Sequence, residues 1–168
     1  MNKTLSLLII ALMALSTATS GSKNELKWQP FEAGLAEARK TNRKVLIDVY
    51  TDWCRWCKKM DKDVYGDEKV SEYLSAHYVT VRLNAESNTA TVYKDKSLSE
   101  RELAGAFGVT GYPTTLFMEA TGELITSVSG YYEAGRFINI ARFIGGDHYK
   151  KMKFEEYLGK VEPAGTGK

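Results

Sequence analysis

Only two cysteines occur in this chain of 168 residues, and they stand two residues apart in Trp53-Cys54-Arg55-Trp56-Cys57. The run closes a strand-like apolar stretch, Val45-Leu46-Ile47-Asp48-Val49-Tyr50, and opens a helix-like one. A buried strand that delivers a thiol pair to a helix's first turn constrains the topology more than any other feature here. At that spacing the sulfurs lie within bonding distance. The first sits where the helix dipole and unpaired N–H groups favour a thiolate. A bridge across so short a loop constrains the unfolded chain only weakly. With no other cysteine to make a framework, the pair reads as a reagent; a structural bridge is the competing reading.

The first twenty residues have the pattern of an export signal. Lys3 supplies a positive start, Leu5 to Leu15 a short apolar core, and Ala18-Thr19-Ser20 a small-residue cleavage pattern before Gly21. The apolar stretch is short for a bilayer span, so cleavage is expected, with an uncleaved anchor as the alternative. Export would place the cysteines in an oxidising compartment, where a disulfide persists. The expected organisation is a signal peptide at 1–20, one domain at 21–148, and a C-terminal helical extension with a frayed tail at 149–168. A formal net charge of +2 gives no reason to invoke nucleic acid or an anionic membrane surface.

Patterning predicts a helix over Phe31–Thr41, a buried strand over Val45–Tyr50, and a cysteine helix from Trp53 to Val64 broken at Gly66-Asp67. A further helix follows over Glu68–Ala76 and a strand over Tyr78–Leu83. Asn84–Lys96 reads as a polar loop. Ser99 and Glu102 have capping-box spacing for a short helix to Phe107. Thr114–Glu119 and Leu124–Ser129 form a hairpin, and Phe137, Ile140, Ala141 and Ile144 mark a last amphipathic helix. Asp147–Leu158 reads as helical and Gly159–Lys168 as frayed. Alternating elements that end in a hairpin give an α/β class, a mixed central sheet flanked by helices on both faces. The Cys54 turn then falls at a strand's carboxyl end, where such sheets place reactive groups.

Three ordered matches identify the family. The run Val45 to Lys58 has a strand, an acid, a Trp and CxxC in sequence; Gly108-Val109-Thr110-Gly111-Tyr112-Pro113-Thr114 has the proline segment; Gly130 follows the last strand. Across about residues 28–145 the chain resembles the thioredoxin superfamily. In its Arg-Trp dipeptide and early helix break it is similar to exported thioredoxin-like proteins and to the periplasmic C-terminal domain of the DsbD reductant transporter.

The resemblance implies a thioredoxin fold and roles for particular residues. Cys54 is expected to be the more exposed, attacking thiol and Cys57 the resolving one. Asp48 corresponds to a buried acid that helps deprotonate the resolving cysteine, with Arg82 where the family often has a lysine. Tyr112-Pro113 is expected to be cis, with adjacent backbone pairing with extended substrate and the proline keeping metals off the sulfurs. Trp53 and Tyr112 would form an apolar docking rim.

From the residues themselves, Arg55 adds positive charge beside the thiolate and so favours the reduced form, unless it points into water. Trp56 is helix packing or rim, and Asp52 is a candidate helix cap. His77 and His148 show no metal-ligand spacing to the cysteines, and Met60 and Met118 read as core.

The leading reading is an exported, periplasmic thiol–disulfide oxidoreductase that reduces protein or peptide disulfides without a cofactor or metal. It would act as a monomer and draw electrons from a partner dithiol, a membrane-embedded donor among the options. A thiol oxidase of the same fold, a non-catalytic binding module using the Tyr131-Tyr132 and Tyr149–Tyr157 stretches, and a metal chaperone are the alternatives.

Overall fold

The computed structural model describes residues 25–161. The expected signal peptide and residues 162–168 of the tail lie outside them. The central sheet has four strands in the order β2-β1-β5-β6: β1 (Lys44–Tyr50), β2 (Tyr78–Asn84), β5 (Thr114–Met118) and β6 (Leu124–Ser129). β1 runs parallel to β2 and antiparallel to β5, and β6 completes a hairpin with β5.

Both faces of β1 are covered, which explains its nearly continuous apolar run. Val45, Ile47 and Val49 point to one face, where α1 (Phe31–Thr41) and α4 (Glu100–Ala106) bury Phe31, Leu35 and Leu103. Leu46 points to the other, against α2 (Arg55–Met60), α3 (Glu68–His77) and α5 (Ala134–Gly145) through Met60, Leu74, Phe137 and Ile144. Asp48, two residues on, shares the face of Leu46 and so lies under the cysteine helix.

That helix differs from the expected single rod. Cys54 is its N-cap, α2 is regular only to Met60, and Asp61–Tyr65 widens into a π-helical turn closed by Gly66 N–H on the Asp61 carbonyl at 2.9 Å. Val64 and Tyr65, at the end of the widened turn, both point into the core.

The expected polar loop at 84–99 contains a second, two-stranded sheet, β3 (Ala90–Tyr93) paired with β4 (Lys96–Ser99). Its two-residue turn is Lys94-Asp95, both in the left-handed region at φ 49° and 63°. Such turns normally carry Asn-Gly or Asp-Gly, so the usual sequence signal is missing. Tyr93 anchors the hairpin, its ring 5.7 Å from Phe31 and 5.2 Å from Phe107.

At the C-terminus, Asp147 adopts φ 57° and stops any helix from running through 147–158. A short 3₁₀ turn (His148–Lys150) intervenes before α6 (Phe154–Val161). α6 extends through Gly159–Val161, which were expected to fray. It packs back on α5, with Phe154 and Tyr157 both against Phe143 and Tyr157 buried.

Candidate active site

The strand β1 ends at Tyr50, and the turn Thr51–Trp53 carries the chain into α2. Cys54 N–H donates to the Thr51 carbonyl at 3.2 Å, and the Cys54 carbonyl accepts the first helical bond from Lys58 N–H at 3.2 Å. Cys54 Sγ accepts from the Cys57 N–H at 3.1 Å, so the sulfur itself performs the cap. Asp52 does not take that role; its carboxylate instead accepts from Asn84 at 3.5 Å. An N-cap sulfur with a backbone donor aimed at it is placed to be stabilised as thiolate once the bond is reduced.

Cys54 and Cys57 form a disulfide, with 5.3 Å between their Cα atoms. The expectation that Cys54 would be the more exposed does not hold in this closed form: it is 3% exposed and Cys57 4%. The side chains between and beside them are the exposed ones, Trp53 at 63% and Trp56 at 56%. Trp53, Cys54, Arg55, Trp56, Lys59 and Tyr112 line a groove of about 640 Å³. Trp53 meets Tyr112 edge-on at 6.1 Å and donates its indole N–H to Glu86 at 3.0 Å. Trp56 is braced by Tyr131 at 5.4 Å.

The Tyr112-Pro113 peptide is cis, as expected. Its loop is tied at both sides: Thr114 Oγ1 donates to the Gly111 carbonyl at 2.7 Å, and Gly130 N–H donates to the Pro113 carbonyl at 2.8 Å. Gly130 reaches that position at φ 92°, a left-handed conformation that suits glycine.

Asp48 is buried beneath this surface, and strand register selects its company. In β2 it stands opposite Arg82 and in β5 opposite Thr115. Arg82 Nε lies 3.6 Å from its carboxylate, and Tyr65 Oη donates to it at 3.4 Å while standing 3.3 Å from Thr115 Oγ1. The Arg82 guanidinium also pairs with Asp61 and stacks on Trp28 at 4.6 Å and Tyr50 at 5.8 Å. Burial, with help from the negative charge of Asp61, pushes Asp48 up to about 7; Arg82 and the Tyr65 hydrogen bond oppose it without cancelling it. A carboxyl that titrates near neutrality is able to take up and release a proton there.

The expected site residues Asp48, Arg82, Trp53, Arg55, Tyr112 and Pro113 thus fall into two layers, a groove and a buried acid below it. Trp28, Asp61, Tyr65 and Glu86 were not singled out in the sequence, and Tyr131 was read there only as part of a binding-module surface. Asp61 had a signal, since it follows Cys57 by one helical turn; the others reach the site through tertiary pairing. Among the described residues no group of three or more His, Cys, Asp or Glu is arranged to hold a metal ion. His77 packs on Tyr73 and His148 on Tyr157.

The family model for a thioredoxin-like domain matches residues 31–145. The chain belongs to the thioredoxin-like family. Its CxxC pair gives this thioredoxin-like domain the dithiol/disulfide couple of a thiol–disulfide oxidoreductase. It is 30% identical over 148 residues to the thiol:disulfide interchange protein DsbD of Yersinia pestis (strain Pestoides F), an alignment covering 79% of this chain and 22% of that protein. The chain therefore spans about a fifth of that relative's length. In fold it is similar to a thioredoxin-fold protein from Helicobacter pylori, at a TM-score of 0.64 and 20% identity over 84% of this chain and 89% of that one. It is also similar to the oxidised DsbD C-terminal domain of Neisseria meningitidis, at a TM-score of 0.51 and 19% identity over 66% and 88%. No helix among the described residues is long and apolar enough to cross a membrane.

Proposed function

We propose that this chain is an exported reductase of protein or peptide disulfides, with Cys54 the attacking and Cys57 the resolving thiol. The observation that carries the proposal is the pair's placement: a capping sulfur at the head of α2, under an aromatic groove and above a buried acid titrating near neutrality. In the reduced protein the Cys54 thiolate attacks one sulfur of a substrate disulfide. A Cys54–substrate bond forms, and the first substrate sulfur leaves as thiolate. Cys57 then gives up its proton, with Asp48 as the acceptor on that face of the sheet. Its thiolate attacks Cys54 Sγ, the second substrate sulfur departs, and the Cys54–Cys57 bond closes. Two electrons pass to the substrate, and a partner dithiol must return them.

Trp53, Tyr112 and the backbone beside Pro113 hold the extended substrate segment. Arg55 is exposed, so water screens most of its effect on the thiolate. The reducing direction is supported by the likeness to DsbD, and export by the leader-like pattern at 1–20, which would put the domain in the periplasm. The boundary proposed for the working unit is 21–161 rather than 148, because α6 packs on α5.

Insulin reduction tests the activity: wild type accelerates it and Cys54→Ser does not. Equal activity in both refutes it. Equilibration against glutathione tests the direction. A potential near about −270 mV supports reduction, and one near about −120 mV makes the chain an oxidase.

A further inference from the structure

Charge around the groove is unevenly distributed. Its lining carries two full charges, Arg55 and Lys59, both positive. The acids of the following turn are already committed: Asp63 pairs with Lys59, and Asp61 pairs with Arg82. Lys59 is thereby largely neutralised and also lies 5.1 Å over the Tyr131 ring. The side chain of Arg55, exposed at the first position of α2, has no ion pair or hydrogen bond among the described residues, and neither has that of exposed Lys58. Beside Trp53 the sign reverses, with Glu86 on its indole N–H and exposed Asp52 next in sequence. A substrate segment lying in the groove therefore passes an unanswered cation immediately after Cys54.

Resting on the oxidoreductase reading above, we propose that this surface selects disulfides whose reactive cysteine is flanked by carboxylate side chains, and that Arg55 reads the charge. Trp53, Trp56 and Tyr112 supply contact area that is indifferent to charge. Discrimination then falls to the free guanidinium. A flanking Asp or Glu gives it the planar two-oxygen partner it lacks, whereas a flanking Lys meets like charge. Such complementarity acts on encounter and specificity more than on affinity, which suits an enzyme that must let its product go. The electron balance is that of the exchange already written: the dithiol is oxidised and the peptide disulfide is reduced to two thiols.

The test uses pre-reduced protein freed of other reductant. It compares two peptide disulfides that differ only in carrying Asp or Lys beside cysteine. At low salt the second-order rate constant should favour the Asp peptide about fivefold, the scale of one partly exposed ion pair. The preference should shrink towards unity in about 1 M salt, where the screening length is roughly 3 Å. Arg55→Glu should reverse it and Arg55→Lys should retain part of it. Lys69→Glu, a charge reversal on the exposed face of α3, should leave it in place. Equal rates for the two peptides with wild type overturn the selectivity while the oxidoreductase reading stands. A preference that moves as much with Lys69→Glu as with Arg55→Glu overturns the role of Arg55. Failure to reduce either peptide overturns both readings together.

Discussion

Burial gives the Asp48 carboxyl a chemistry unlike that of an exposed carboxylate. In the unfolded chain its carboxyl titrates near 3.8, and in the folded protein near 7. Below the lower value both states hold the proton and the burial carries no ionisation penalty. Between the two values the unfolded chain releases a proton that the fold retains, so stability declines as pH rises through that window. A shift of about three units corresponds to at most ~4 kcal/mol. Asp48→Asn should therefore stabilise the oxidised protein by up to ~4 kcal/mol at pH 8 and by almost nothing below pH 4, as read from urea unfolding at both pH values. Arg82 would keep Asp61 as partner and would not be orphaned by the change. Asp61→Asn removes a negative charge that holds the Asp48 carboxyl up, so it should move the Asp48 titration down; carbonyl-carbon NMR across pH 4–9 would show it. Asp48 was legible in the sequence because an acid in an apolar strand is conspicuous. Arg82 was legible only through the family resemblance, while Thr115 and Tyr65 were not legible at all, because strand register brings the one beside Asp48 and the π-helical turn the other.

Elements were legible where one period dominated. Phe31–Thr41 forms the helix its apolar spacing predicts, and the β5–β6 hairpin follows its glycine turn. The capping box at Ser99 and Glu102 is present in both directions. Ser99→Ala should destabilise α4 by about 1 kcal/mol, measurable by thermal unfolding. Failures came where a turn lacked its usual residues, as at Lys94-Asp95, or where a helix changed its repeat, as after Met60. Spacing also conceals close approach. Gly34 lies inside α1, and a Cβ there would stand 2.2 Å from Val81 Cγ2 on β2. Gly34→Ala, which helix propensity alone would favour, should instead cost about 1–3 kcal/mol, through displacement of α1 from the sheet.

The described residues form a central four-stranded sheet with an apolar layer on each face and a small two-stranded hairpin, and α6 belongs to that body. The family match ends at residue 145, yet α6 returns to α5 and buries Tyr157. Tyr157→Ala should cost about 3 kcal/mol of global stability in denaturant unfolding. Composition alone could not place α6, since its charged surface masks the single face made by Phe154 and Tyr157. Both packed layers serve one event, exchange at Cys54. Reacting reduced Cys57→Ser protein with a peptide disulfide and weighing the product measures that event. A stable adduct of one peptide joined through Cys54 is expected. No adduct, or one formed equally well by Cys54→Ser through Cys57, would contradict it.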